Sequence, residues 1–170
     1  VEPDGEYMYI FYNIIYVDTN ESKWKRCDTY VARTRKRTDG IMGDFVKYYN
    51  GEFCEAGNLG KETAIIENTW HTRVTRLEKY DCFICVSSPI NFGNNTKLVA
   101  DYMEIRTSKD MIHWSEPVTV EYEGKIFGNH YMAIVSEDAG EQPNVVTGNE
   151  FAILTNHNGT DVKRYMAKID

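Results

Sequence analysis

Side chains able to do chemistry are sparse in this sequence. Cysteines stand at 27, 54, 82 and 85, and Cys82 and Cys85 have the CxxC spacing of zinc and redox sites. Their frame, Tyr80-Asp-Cys-Phe-Ile-Cys-Val-Ser87, reads as a buried strand, where residues three apart point to opposite faces. No second CxxC accompanies them, so small buried hydrophobes are expected rather than zinc ligands, and the cysteines do not fix a redox compartment. Gly57-Asn-Leu-Gly-Lys61 has the ending of a phosphate loop, but Glu62 occupies the Ser/Thr position and Glu55 the first Gly position. There is no HExxH. Glu67-Asn-Thr-Trp-His71 gathers a carboxylate, an indole and an imidazole within one short stretch. Indole faces stack on the apolar C–H faces of sugars, so a glycan contact is one reading of Trp70. A core tryptophan and a solvated strand-end glutamate are the plainer ones.

Strands must carry these residues. The chain has 170 residues, 42% hydrophobic and 26% charged, the profile of one folded domain. It holds 12 Tyr, 7 Phe and 3 Trp against 4 Pro, a balance that favours β structure. Runs at 6–13, 27–33, 45–49, 71–77, 80–87, 98–106, 117–122, 131–135, 150–156 and 162–169 have strand composition, separated by Gly, Asn, Asp and Ser clusters. No long window holds a 3.6-residue period, so the chain reads as all-β. Aromatic strands open at 7, 80 and 151, intervals of 73 and 71 residues, a weak repeat that suggests radial blades of a propeller.

Net charge is −7, which argues against a nucleic-acid backbone or an anionic membrane as partner. The basic run Arg33-Thr-Arg-Lys-Arg37 is read as a solvated loop. No apolar run approaches the roughly 20 residues of a membrane-crossing helix. Asn20, Asn94 and Asn158 open N-x-S/T sequons, meaningful in a secreted eukaryotic protein. The chain starts at Val1 without an initiator Met, so the gene's start is expected upstream.

The most specific segment is Thr107-Ser-Lys-Asp-Met-Ile-His-Trp114. It resembles the S-K-D-L-x-H-W turn of five-bladed β-propeller glycoside hydrolases, the arabinanase/xylosidase type (family 43) and the related invertase type (family 32). Ser108 and Asp110 suit bonds to nearby backbone N–H groups, with the Trp114 ring packed under the turn. A sialidase Asp-box needs a Gly after the Asp and one more residue before the Trp, and Met111-Ile112 supplies neither. Tyr7-Met-Tyr-Ile-Phe-Tyr12 after Asp4-Gly5 resembles a second blade strand, and 80–88 and 150–155 look like further copies.

That resemblance implies a partial propeller of about two and a half to three antiparallel blades, a C-terminal portion: 1–60 a partial blade, 61–122 a blade, 123–170 a partial last blade. Unpaired edges would then favour self-association or require missing N-terminal blades. It also implies hydrolysis of oligo- or polysaccharides by carboxylate acid/base chemistry. Glu67, thirteen residues before Tyr80, takes the position of the acid, although Thr69 stands where the family pattern has Pro. The base and the modulating Asp would lie outside this chain. Trp70, His71 and His130 would contact substrate, with His130 at the start of the last inner strand. No cofactor is implied beyond room for a structural calcium ion near the axis. The other reading is a non-catalytic carbohydrate-binding propeller or propeller subunit.

Overall fold

The computed structural model describes residues 6–21, 23–37, 39, 42–90, 102–127, 131–136, 144–157 and 161–169. They form strands, with no α-helix and a single 3-10 turn at Glu78–Tyr80. The all-β class read from the sequence is what the chain shows.

The first sheet is a meander of β1 (Tyr7–Asp18), β2 (Lys23–Arg35), β3 (Val46–Tyr49) and β4 (Glu52–Ala56). Its long hairpin pairs Tyr7 with Arg35 and Asp18 with Lys23, with a bulge at Tyr16/Val17. Asp18 closes that hairpin by accepting the N–H groups of Asn20 at 3.0 Å and Glu21 at 3.3 Å. Asn50 and Gly51 (φ 48° and 101°) turn β3 into β4, as two left-handed residues suit a two-residue hairpin.

The second sheet, in the order β12-β5-β6-β7-β8, contains β5 (Thr69–Leu77), β6 (Cys82–Pro89), β7 (Glu104–Ser108), β8 (Val118–Thr119) and β12 (Val145–Val146). Within it β12 runs parallel to β5, and the remaining pairs are antiparallel. Between these in sequence, β9 (Glu121–Tyr122) and β10 (Lys125–Ile126) make a small hairpin over Glu123-Gly124. The third sheet joins β11 (Ala133–Val135), β13 (Glu150–His157) and β14 (Asp161–Lys168). One sheet is curled into a half-barrel. The core lies between the second and third sheets, where Leu77, Ile84, Val86, Met103, Met132 and Phe151 are buried together.

Several elements differ from the sequence reading. The 117–122 run is split at Val120, whose N–H follows the β7–β8 register onto Met103 O at 3.0 Å while its carbonyl accepts the Phe127 N–H at 2.8 Å. β4 and β12 were not expected: one follows the Asn-Gly turn with a run too polar to stand out, and the other is two residues long. β1 also runs on through Asp18, since its pairing with β2 continues past Asn13.

The Ser108–Trp114 segment is a turn leading from β7 toward β8. Ser108 Oγ accepts the Asp110 and Met111 N–H groups at 3.2 and 2.9 Å. Asp110 accepts the Ile112 and His113 N–H groups at 2.9 and 2.8 Å, and its other oxygen lies 2.7 Å from His113 Nδ1. Trp114 donates from Nε1 to Met111 O at 3.2 Å. Its ring is half-buried, while Met111, at φ 66°, fills the interior. Cys85 is buried, Cys82 half-buried, and no cysteine is in a disulfide.

Candidate functional site

The start of β5 is held against the β1–β2 hairpin by polar side chains. Thr29 on β2 donates its N–H to Ile66 O at 2.8 Å, and its carbonyl accepts the Ile65 N–H at 2.9 Å. Its hydroxyl lies 2.8 Å from Thr69 Oγ1 and 2.6 Å from Thr72 Oγ1. Asp28, fully buried, accepts the Asn68 N–H at 3.0 Å and is ion-paired to Arg26 Nε. Burial pushes the neighbouring Tyr30 phenol above its ordinary range, with its hydrogen bond to Tyr16 adding to the effect. The loop carrying Glu67 is thus fastened on both sides.

Asn13 completes the joint. Its amide nitrogen lies 2.9 Å from Thr29 Oγ1, 3.1 Å from Thr69 O and 3.2 Å from Asp28 O. Its Oδ1 accepts the His71 N–H at 3.1 Å. The β5–β6 register breaks between Trp70 and Arg73, in an irregularity that holds His71 and Thr72. The Asn13 carboxamide thus holds the His71 backbone at this break. Asn68 (φ 52°) and His71 (φ 55°) are both left-handed, a conformation costing about 1–2 kcal/mol in such residues. The bonds from Asp28 and Asn13 hold those two backbones in place.

The result is a row of rings. Trp24 meets Trp70 edge-on at 5.5 Å between centroids, Trp70 lies 4.0 Å from the His71 ring, and His71 meets Tyr131 at 4.5 Å. Trp70 and His71 are half-buried, and Tyr131 is 60% exposed. Four rings contributed by β2, β5 and the residues before β11 therefore adjoin one another. Such a row offers flat apolar faces flanked by polar edges.

The sequence-derived candidates fall as follows. Trp70 and His71 are neighbours in the row. Glu67 precedes β5 in a bend, is exposed, and makes no hydrogen bond or ion pair with a described residue. His130 lies outside the described residues. Trp24, Tyr131, Asn13 and Asp28 were missed. Asp28 does carry a signal, a lone charge inside the run Cys27-Asp-Thr-Tyr-Val-Ala32. Trp24 and Tyr131 have none, because their neighbours are set by tertiary contact. Among the described residues no group of three or more His, Cys, Asp or Glu is placed to hold a metal.

Compared with known proteins, the chain matches no family model, no curated protein and no solved structure.

Proposed function

We propose that this chain engages an oligo- or polysaccharide along the Trp24–Trp70–His71–Tyr131 row, as part of a glycoside hydrolase similar to the family 43 propellers. In that reading the β1–β4, β5–β8 and β11-β13-β14 sheets are blades, and Glu67 protonates the leaving glycosidic oxygen. The observation that supports it is the ring row, set at the joint between two sheets and immediately after Glu67. Stacking surfaces of this kind select planar-faced, hydroxyl-edged ligands, and pentose-containing glycans fit that description.

One observation favours the second reading, glycan binding without hydrolysis. A general acid needs burial or a second carboxylate to keep its proton near neutral pH. Glu67 is exposed. The discriminating experiment titrates the full-length protein with arabino- and xylo-oligosaccharides, following tryptophan fluorescence and product release. Saturable quenching lost in Trp70→Ala supports the row as the glycan site. Under the hydrolase reading, Glu67→Gln abolishes cleavage of native glycans but spares activated aryl glycosides, which need less protonation. Binding with no cleavage by either form selects the second reading. No response to any glycan removes both.

A further inference from the structure

Sheet β1–β4 carries a cavity unrelated to the ring row. A cleft of about 840 Å³ opens on the face of the sheet that presents Ile10, Tyr12 and Ala32. Asn13 and Thr29, which face β5, alternate with these residues along β1 and β2, so the cleft lies on the opposite face from the ring row. Its volume is in the range of small-molecule sites.

The lining has a definite chemistry. Ile10 and Ala32 give an apolar surface, and the rings of Tyr12 and Phe45 adjoin it. A sugar would find few partners for its hydroxyls there. The charges are unbalanced. Lys47, the cation in the lining, is already neutralised by Glu62 at 2.5 Å and also donates to Gly60 O at 3.0 Å. Asp44 lines the same cleft with no hydrogen bond or ion pair to any described residue. Glu55, half-buried, accepts the Lys61 backbone N–H at 3.2 Å, and its cross-strand neighbour Lys47 is ion-paired to Glu62 instead. Two carboxylates beside apolar and aromatic walls complement a cation on an apolar stem, which aromatic faces also attract.

We infer that this cleft binds an alkylammonium ligand, its stem laid over Ile10, Ala32 and the Phe45 ring and its cationic end at Asp44 and Glu55. A diamine can address both carboxylates at once. The proposal does not rest on the glycan reading, because it uses the other face of the sheet and none of the same residues.

The probe is cadaverine (1,5-diaminopentane), titrated by calorimetry into the full-length protein, with hexanoate and hexanol as controls. Cadaverine is expected to bind saturably, and hexanoate not at all. Asp44→Asn combined with Glu55→Gln should weaken cadaverine roughly tenfold or more, the scale of losing charge-assisted contacts. Both changes are at polar positions and keep a carbonyl acceptor for Lys61, and an unchanged melting temperature verifies the fold. Raising salt should weaken cadaverine binding as well. Equal binding of hexanol and cadaverine, or wild-type affinity in the double variant, would overturn the assignment. So would a failure of Phe45→Ala to lower the affinity of a folded protein.

Discussion

Strand β5 meets its two neighbouring regions by opposite chemistry. Its opening residues join the β1–β2 hairpin through Asn13, Thr29, Thr69 and Thr72, bonded at 2.6–3.1 Å. Its far end delivers Leu77 to the apolar cluster shared with β11 and β13, where Thr75 Oγ1 donates to Ile134 O at 3.3 Å. Apolar packing is strong but non-directional, so it stabilises without fixing a particular backbone. Hydrogen bonds contribute less each, but they specify geometry and penalise departure from it. The polar joint sits where two left-handed residues and a broken register must be held, and the apolar joint sits where bulk stability is needed.

The apolar side should give the largest response. Phe151 is buried in the cluster between the second and third sheets. Phe151→Ala removes a large buried ring and leaves a cavity, so a loss of about 3–5 kcal/mol is expected in urea unfolding. A loss below about 1 kcal/mol would mean that this junction is not the main source of stability. The ring row should be unaffected at low denaturant, with glycan quenching retained.

The polar side should respond less in stability and more in geometry. Asn13→Ala leaves Thr29 Oγ1, Thr69 O and the His71 N–H short of a partner, at a cost of about 1–3 kcal/mol. The fluorescence of Trp24 and Trp70 should shift, since His71 is no longer held beside Trp70. Asn13→Asp keeps the acceptor for His71 and loses the donor, so it should restore the spectrum only in part. Unchanged fluorescence in folded Asn13→Ala would show that the row does not depend on this joint.

The same contrast explains what was legible from sequence. Part of the cluster was legible through strand composition: Phe83-Ile-Cys-Val86 reads as a buried run and 150–156 as a strand without reference to a partner. The Ser108–Trp114 turn was legible because its bonds are local, between residues two or three apart. The joint at β5 was not. Asn13 lies 56 positions from Thr69 and 58 from His71, and an asparagine near the middle of a strand has no pattern that names such partners. Glu67 drew notice by its spacing before Tyr80, Trp70 and His71 by type and adjacency, and the row's other members Trp24 and Tyr131 are consequences of the fold. A joint made of long-range hydrogen bonds is written in geometry, which a linear reading does not contain.

The turn at Asp110 sharpens the comparison by placing a dense hydrogen-bond network at the surface. Burial works against the Asp110 carboxylate. The His113 side chain, the His113 and Ile112 N–H groups and the Ser108 hydroxyl outweigh it and hold the carboxyl below the usual range, at about 2. Because the folded value lies below the unfolded one, the network's contribution is present above about pH 4 and is lost as pH falls toward 2. The Asp110 side chain is 50% exposed, so water screens much of the effect, and about 1 kcal/mol or less is expected. Urea unfolding at pH 2, 3, 4 and 6 should therefore show a modest acid loss in the wild-type chain. In Asp110→Asn the part due to this carboxylate should vanish, with lower stability at pH 6. If the acid limbs of the two proteins superimpose, exposed networks of this kind set local shape without contributing measurable stability. The buried joint at Asn13 would then owe its larger effect to exclusion of water.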